Sequence, residues 1–501
     1  MENLISGAGT PPRSRADETS LRYATAQGRW VIAATVLGSA VASLDATVVG
    51  IALPAIGRDF GTGLAALQWI VTAYTLTLAG LLLVAGALGD RYGRRRVFLA
   101  GVVWFALAST LCAIAPTPGT LIAARALQGV GAALLTPGSL AILQASFHPD
   151  DRSRAIGAWS GLSGVAAAAG PFIGGWLVQA ASWRLIFLIN LPVAAVVVAL
   201  TLRHVPESRD PDSAGRIDVA GGALATLGLV GLTYGLIKGV SGVPAIVAGA
   251  LLLTGFVLLE GRIRRPMLPL GLFRSRQFSV TNTVTFVVYG ALGGALFLLP
   301  IQLQQVSGYS AFEAGVSVLP VTAVMLALSA RSGALAARVG PRLQMGLGPI
   351  VIGTGFGLFV RIGPSGNYLT ETLPAVTVLG LGLAITVAPL TATVLAAVPA
   401  EHAGMASAVN NDVARAASLV AVAVFPALAG ITGSAYLHPA TFSAGFHTAA
   451  LLAACLCVLA GLLAAAAVRN PPRPPRSQGF HCAVDAPPLQ DGHGRRGHAA
   501  P

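Results

Sequence analysis

Fourteen long apolar segments, each about twenty residues in length, dominate this sequence of 501 residues. An α-helix of that length covers roughly 30 Å, which is the thickness of the hydrocarbon core of a bilayer. The segments are continuous rather than alternating in polarity, and this favours membrane-spanning helices over barrel strands. The predicted spans are residues 30–53, 66–88, 97–115, 119–143, 155–179, 185–202, 217–237, 243–261, 280–304, 314–336, 343–362, 372–397, 404–430 and 444–468. The sequence therefore predicts an all-α membrane protein with 14 transmembrane helices.

The composition excludes the two obvious alternatives, a set of soluble domains and a nucleic-acid-binding protein. Hydrophobic residues make up 54% of the chain and charged residues only 10%, against about 25% charged residues in a soluble domain. The net charge of +13 comes from short clusters of arginine between apolar segments, which is the pattern of membrane loops. We expect the lipid bilayer as a partner and no nucleic acid.

Basic residues are concentrated on one side of the predicted topology. When every second loop is assigned to the side of the amino terminus, that side carries 25 basic residues and the other side four, Arg58, Arg184, Lys238 and Arg361. Because arginine and lysine are enriched in cytoplasmic loops, both termini are predicted to be cytoplasmic. The asymmetry also supports an even number of helices, since one missed helix would mix the two sides.

Two patterns recur along the chain and indicate an internal repeat. Segments 86–95 and 333–342, which follow the second and tenth spans, share the pattern G-x-L-x-x-R-x-G-x-R. A glycine pair and a later proline also occur in both the fourth and the twelfth spans. Paired helix bundles around a central cavity are typical of secondary transporters. We predict a cytoplasmic tail at 1–29, a six-helix bundle at 30–202, two inserted helices at 217–261, a second six-helix bundle at 280–468 and a disordered tail at 469–501.

Charged residues within the apolar spans are candidates for function, and Asp45 and Arg125 are the first of them. Asp45 lies in the first span and Arg125 in the fourth. A charged side chain in hydrocarbon costs at least about 2.5–3.5 kcal/mol, so we expect each to face a cavity or a partner. A structural helix-to-helix hydrogen bond for Asp45 and snorkelling of Arg125 to the membrane surface are the alternatives. Gln128 lies three residues after Arg125 and therefore on the same helix face.

Several motifs, in this order, resemble those of the major facilitator superfamily and in particular its fourteen-span drug:proton antiporters. They are the segments Leu44-Asp-Ala-Thr-Val-Val-Gly-Ile-Ala-Leu-Pro54, Gly86-Ala-Leu-Gly-Asp-Arg-Tyr-Gly-Arg-Arg95, Arg125-Ala-Leu-Gln-Gly-Val-Gly131, Ala166 to Gly175, Trp183 to Pro192 and Leu299 to Ser310. The chain departs from the family pattern at four positions: Gly50 replaces Asn, Ala166 replaces Gly, Gln302 replaces Tyr, and Ala337 replaces the Asp of the second loop motif.

The resemblance implies the fold, two six-helix bundles plus two inserted helices, and roles for particular residues. It implies proton coupling by Asp45 and Arg125. It implies a cytoplasmic gate at Gly86, Asp90, Arg91, Gly93 and Arg94, and an antiporter motif at Gly170, Pro171, Gly174 and Gly175.

Polar residues in the remaining spans are candidates for the substrate cavity. Asp412 and Arg415 are three residues apart and are predicted to form an ion pair on one helix face. The candidate cavity residues are Gln128, Gln302, Gln305, Asn411, Asp412 and Arg415.

These observations predict a proton-coupled efflux antiporter of drugs or antibiotics in the bacterial inner membrane, working by alternating access and active as a monomer. We expect an amphipathic or weakly basic substrate, with Asp45 binding proton and substrate in turn. No phosphate loop, metal-ligand pattern or cofactor motif occurs in the sequence, so no ATP, metal or cofactor use and no enzyme activity is predicted. A proton-coupled importer and a non-transporting membrane sensor are the alternatives. The antiporter motif in the fifth span argues against the importer.

Overall fold

The computed structural model describes residues 21–209, 218–263, 266–399 and 402–470. Most of the predicted tail 1–29 and nearly all of the predicted tail 469–501 lie outside these ranges. The described chain is helical throughout and forms no β-strand. Its long helices are α1 Ala26–Phe60, α2 Leu64–Tyr92, α3 Arg94–Ala113, α4 Pro118–Ser146, α5 Pro149–Ala180, α6 Leu185–His204, α7 Val219–Lys238, α8 Val243–Glu260, α9 Arg276–Gln305, α10 Ala311–Val339, α11 Pro341–Arg361, α12 Tyr368–Ala396, α13 Ala403–Leu428 and α14 Pro439–Ala467.

Thirteen helical stretches of the described chain are long and apolar enough to cross a membrane, and one of these stretches consists of two helices, α7 and α8. The stretch Val219–Glu260 has 42 residues and is broken by a short 3-10 turn at Gly239–Gly242. Gly228 of α7 faces Leu253 of α8, and Gly235 faces Ile246, so the two helices pack antiparallel. The prediction of 14 transmembrane helices is therefore confirmed, and the protein is a multi-pass membrane protein.

Several helices continue beyond the apolar segments from which they were predicted. The first span was expected at 30–53, whereas α1 runs from Ala26 to Phe60. The Thr25 hydroxyl accepts a hydrogen bond from the Gly28 amide at its start, and Gly61 ends it at a positive φ of 58°. Helix ends are set by such caps, which apolar length does not reveal.

The first six helices and the last six pack with the same internal pattern. In α4, Gly129 lies against Tyr74 of α2 and Gly131 lies against Phe105 of α3. In α12, Gly380 lies against Val321 of α10 and Gly382 lies against Ile352 of α11. The repeated glycines of the sequence thus mark equivalent helix crossings, where the absence of a side chain lets backbones approach closely.

The inserted pair lies at the seam between the two halves of the molecule. α7 packs on α2 and on α13. Thr226 of α7 fills the space beside Gly80, and Val84 of α2 fills the space beside Gly222. α8 packs mainly on α7 and exposes large apolar side chains such as Leu251, as a lipid-facing helix does.

The two ends of the molecule differ in how far the halves are separated. We call the end that carries the connection of α2 to α3 the arginine-rich face, and the other end the opposite face. At the opposite face, Gln304 of α9 donates to the Ile51 carbonyl at 2.9 Å, and Gln68 of α2 donates to the Val422 carbonyl at 2.7 Å. Towards the arginine-rich face, a cavity of about 820 Å³ separates α1, α2, α4 and α5 from α13. The structure is therefore closed at one face and open towards the other.

Candidate functional site

Asp45 is buried in a polar cluster between α1, α4 and α6, with 1% of its surface exposed. Arg125 Nη1 forms a short hydrogen-bonded ion pair with its Oδ2. Gln128 Nε2 donates to its Oδ1 at 2.8 Å, and Asn190 Nδ2 donates to the same oxygen at 3.2 Å. Each of these partners is a hydrogen-bond donor, so the arrangement suits an ionised carboxylate.

Arg125 is held by more than its carboxylate partner. Its Nε donates to the Ile70 carbonyl at 3.1 Å, and its Nη1 also donates to Gln128 Oε1 at 2.6 Å. The guanidinium carbon lies 4.3 Å from the ring centre of Tyr74, which is a cation–π contact. These contacts use the planar shape of the guanidinium, and a lysine ammonium could not reproduce them.

Neutral hydrogen-bonding groups around the charge pair complete the cluster. Ser109 Oγ accepts from Asn190 at 3.0 Å and from Gln128 at 3.1 Å, and donates to the Phe187 carbonyl at 2.9 Å. Fully satisfied networks of this kind hold their members in one geometry, because a lost partner would leave a buried group unpaired. The cluster therefore joins α1, α2, α3, α4 and α6 around one charge pair.

Tyr74 separates this cluster from the cavity. Its hydroxyl donates to the Ala42 carbonyl at 3.2 Å, and its ring covers Arg125 on one side and lines the cavity on the other. Ala42, Ser43 and Ala46 of α1 also line the cavity, whereas Asp45 does not. The sequence predicted that Asp45 faces either a cavity or a partner. In this conformation it faces its partner Arg125 and is screened from the cavity.

Of the five predicted gate residues, Gly86, Asp90 and Arg94 line the arginine-rich end of the cavity, and Arg91 and Gly93 do not. Asp90 pairs with Arg94 at 2.8 Å, and both line the cavity together with Gly86. Asp90 accepts this bond from the Arg94 side chain, one helical turn further along the chain. Arg91 lies over the Tyr92 ring at 5.5 Å.

Gly93 explains why the loop motif needs a glycine at this position. Its φ of 113° lies in the left-handed half of conformational space, and the carboxylate of Glu207 occupies the place of a side chain. Glu207 accepts from the Arg95 amide at 3.1 Å. In the repeated motif, Gly340 has a φ of 92° and Asn470 accepts from the Arg342 amide at 3.0 Å. In both copies of the motif, the backbone after the glycine is therefore hydrogen-bonded to the segment that follows the last helix of the same half, α6 or α14.

The predicted antiporter motif lies where α5 packs against α1 of its own half and against α10 of the other half. Gly170 and Gly174 pack against Thr47 and Val48 of α1. Gly175 packs against the Ala311 carbonyl of α10, and the Pro171 carbonyl packs against Gly315 of α10. Thr47 Oγ1 donates at 3.2 Å to the Ala167 carbonyl, which Pro171 leaves without its helical donor.

Four of the candidate cavity residues lie elsewhere, and these assignments are corrected. Gln128 belongs to the Asp45 cluster. Gln302 is fully buried near the opposite face, where it donates to the Ile362 carbonyl and to Ser443 Oγ, both at 3.0 Å. Gln305 donates to the Tyr436 hydroxyl at 2.9 Å at that face. Asp412 does not line the cavity, whereas Asn411 and Arg415 do.

The predicted pair of Asp412 with Arg415 is also wrong for these two described residues. No ion pair joins them, and Asp412 Oδ1 is buried without a hydrogen-bond partner. Spacing along a helix permits such a pair, but Arg415 points into the cavity and Asp412 does not.

Sequence reasoning missed three members of the cluster, Tyr74, Ser109 and Asn190. A hydroxyl or an amide in an apolar segment is common and carries no charge that would mark it. Asn190 lies within the motif Trp183 to Pro192, but the sequence analysis assigned it no role of its own.

Paired helix bundles that enclose a cavity, with a charge pair buried beside it, define the class of secondary transporters. The family model of the Major Facilitator Superfamily matches residues 35–423 of this chain. The chain therefore belongs to this family. It is 36% identical to the puromycin resistance protein of Streptomyces alboniger, over 81% of this chain and 83% of that protein.

Two further comparisons agree. The chain is 36% identical to the methylenomycin A resistance protein of Bacillus subtilis, over 86% of this chain and 93% of that protein. A bacterial homologue of the human lysosomal transporter Spinster, solved in an inward-facing and unoccupied conformation, has the same fold at a TM-score of 0.64 and 16% identity. That match covers 89% of this chain and 97% of the other. The predicted resemblance to drug-resistance transporters of this superfamily is thereby confirmed.

Proposed function

We propose that this protein is a proton-coupled antiporter that exports a small amphipathic drug or antibiotic across the bacterial inner membrane. The observation that carries the proposal is the buried pair of Asp45 and Arg125, one residue layer away from a cavity that opens at a single face. The relatives named above are resistance proteins, which supports export rather than uptake.

The distribution of basic residues supports the proposed orientation. The arginine-rich face carries most of the basic residues, and we assign it, with both termini, to the cytoplasm. The structure then has its cavity open to the cytoplasm and its opposite face closed, which is the state that loads cargo for export.

Alternating access would be a rocking motion of helices α1–α6 against α9–α14, with α7 at the seam. In the cytoplasm-open state, Asp45 is paired with Arg125 as after release of a proton. Opening of the opposite face would let a proton reach Asp45 and release Arg125. Because Tyr74 screens Asp45 from the cavity, proton and cargo occupy neighbouring places, and direct competition at Asp45 does not fit this arrangement.

The energy source in this proposal is the proton gradient, with no ATP, cofactor or metal, and a monomer contains all the residues required. One proton moving down 100 mV supplies about 2.3 kcal/mol before any pH difference is added.

The test is resistance and transport in an efflux-deficient bacterial host. Cells that express the protein should become resistant to at least one antibiotic of a broad panel, and an uncoupler should remove this protection. Asp45→Asn should abolish export driven by a pH gradient in vesicles, because an amide takes up no proton at neutral pH.

Asp59→Asn is the matched control, since it makes the same change in the same helix. Asp59 pairs with Arg184 at 2.7 Å on the surface of the opposite face, where an ion pair contributes little. This variant should export normally. Intact pH-driven export by Asp45→Asn would refute the proposed role of Asp45.

A further inference from the structure

The cavity contains a positive charge that no described group neutralises by direct contact. Four charged residues line the cavity, Asp90, Arg94, Asp218 and Arg415. Asp90 and Arg94 pair with each other, and Asp218 accepts from the Gly221 amide at 2.8 Å as the N-cap of α7. Within the described chain, Arg415 has no hydrogen bond and no ion pair.

Arg415 lies deep in the cavity rather than at its mouth. It is about 18 Å along α13 from the helix start at the arginine-rich face, which is more than half of a roughly 30 Å hydrocarbon core. A charged group at that depth is costly unless it is paired. An empty cavity lets water supply the pairing, but a cargo that excludes water must replace it.

The walls around Arg415 offer donors and apolar surface. Ser163 of α5 lines the same cavity, and its hydroxyl has no hydrogen-bond partner among the described residues. Asn411 lies one turn before Arg415 on the cavity wall. Leu78, Leu82 and Trp159 contribute apolar and aromatic surface.

We infer that the cargo carries an acidic group, a carboxylate or an ionised phenol, that Arg415 binds through its guanidinium, while the rest of the cargo is apolar or aromatic. This inference rests on the proposed function, because it concerns the cargo of the proposed exporter. It differs from the weakly basic substrate that the sequence suggested, since Asp45, the acid on which that expectation depended, does not reach the cavity.

A pair of xanthene dyes tests the charge preference without transport. Fluorescein carries negative charge and rhodamine 123 carries positive charge on nearly the same ring frame. Binding of each dye to the purified full-length protein in lipid nanodiscs is measured by fluorescence anisotropy. We expect wild-type protein to bind fluorescein more tightly, and Arg415→Gln to weaken fluorescein binding by about 10- to 100-fold, as loss of a charged hydrogen bond does.

Matched variants separate recognition from structural damage. Arg331→Gln changes an exposed arginine of α10 that does not line the cavity, and it should leave fluorescein binding unchanged. Arg415→Lys keeps the charge and should retain the preference for fluorescein, so the inference stays testable if Arg415→Gln does not fold. Rhodamine 123 binding should stay the same or become tighter in Arg415→Gln, because the substitution removes a positive charge that repels a cationic dye.

Equal affinity of the wild type for both dyes, no measurable fluorescein binding, or equal losses for both dyes in Arg415→Gln would each overturn the inference. These outcomes are distinguishable from failure of the proposed function. Export that resists an uncoupler would refute proton coupling while leaving an Arg415-dependent dye preference intact.

Discussion

Asp45 and Arg125 form an ion pair that is almost completely withdrawn from solvent, with 1% of each residue exposed. Such a pair contributes little net stability, because desolvation of two charges offsets most of their attraction. Loss of one partner is another matter and costs about 3–5 kcal/mol, since it leaves a buried charge alone. A pair of this kind is suited to a site at which one partner changes charge during the working cycle.

Asn190 offers a test of how much the neutral members of the cluster contribute. Asn190→Leu removes one donor from Asp45 and one from Ser109, and an unsatisfied buried acceptor costs about 1–3 kcal/mol. We expect a lower melting temperature and roughly tenfold slower pH-driven export, measured in vesicles at matched protein amounts.

Asn410→Leu is the comparison for that variant. Asn410 donates to Asn282 at 3.0 Å and to Thr285 at 2.8 Å in the other half of the molecule, with no charge involved. It should lose similar stability but retain its export rate. Equal loss of export in both variants would mean that Asn190 is only structural.

The charged members of the cluster could be identified from the sequence, and the neutral members could not. Asp45 and Arg125 stand out because a charge in an apolar span demands a partner. Asn190, Ser109 and Tyr74 carry no such demand, and their place in the cluster depends on how α2, α3 and α6 pack around α4.

At the scale of single elements, the glycines of α5 set how closely the two halves approach. Gly175→Leu would place a side chain where the Ala311 carbonyl of α10 lies. We expect the opposite face to be unable to close and pH-driven export to fall by at least about tenfold, as buried overpacking costs about 1–3 kcal/mol.

Gly164→Leu provides the control on the same helix. No neighbouring atom lies within 4 Å of the place where its side chain would begin. The variant should fold and export normally. If both variants export at the wild-type rate, the close approach of α5 to α10 is not needed for transport.

The loop between α2 and α3 gives a second test at this scale. Gly93→Ala forces a left-handed φ on a residue with a side chain and brings that side chain against Glu207. We expect a loss of about 1–2 kcal/mol of stability, measured by thermal unfolding in detergent. Gly89→Ala, four residues earlier in open space, should be neutral or slightly stabilising; the same loss in both would contradict this account.

For the whole molecule, the hydrogen bonds at the opposite face hold the two halves together in this conformation. The double variant Gln68→Leu with Gln304→Leu removes the side-chain donors to Val422, Ala423 and Ile51. Each lost bond costs about 1 kcal/mol, so the balance should shift by roughly fivefold per bond towards an open opposite face.

Spin labels at Thr62→Cys and Thr432→Cys, one in each half at the opposite face, measure this shift in a background free of native cysteines. Wild-type protein should show one short distance, and the double variant should add a longer one. Gln277→Leu, which loses a bond to Arg469 within one half, is the control. An unchanged distance distribution in the double variant would show that these bonds do not hold the face closed.

The sequence alone determined the membrane class, the number of helices, the family and the two buried charges. These follow from local properties, because apolar length, arginine distribution and a charge in hydrocarbon each have a meaning that does not depend on distant residues. Only the tertiary structure decided which polar residues meet: it placed Gln302 and Gln305 away from the cavity, left Asp412 without an ion pair to Arg415, and put Tyr74 between Asp45 and the cavity. Spacing along one helix defines a face, but the neighbour of that face depends on the packing of helices far apart in the chain, and the side-chain alternatives differ too little in hydrophobicity for the sequence to rank them.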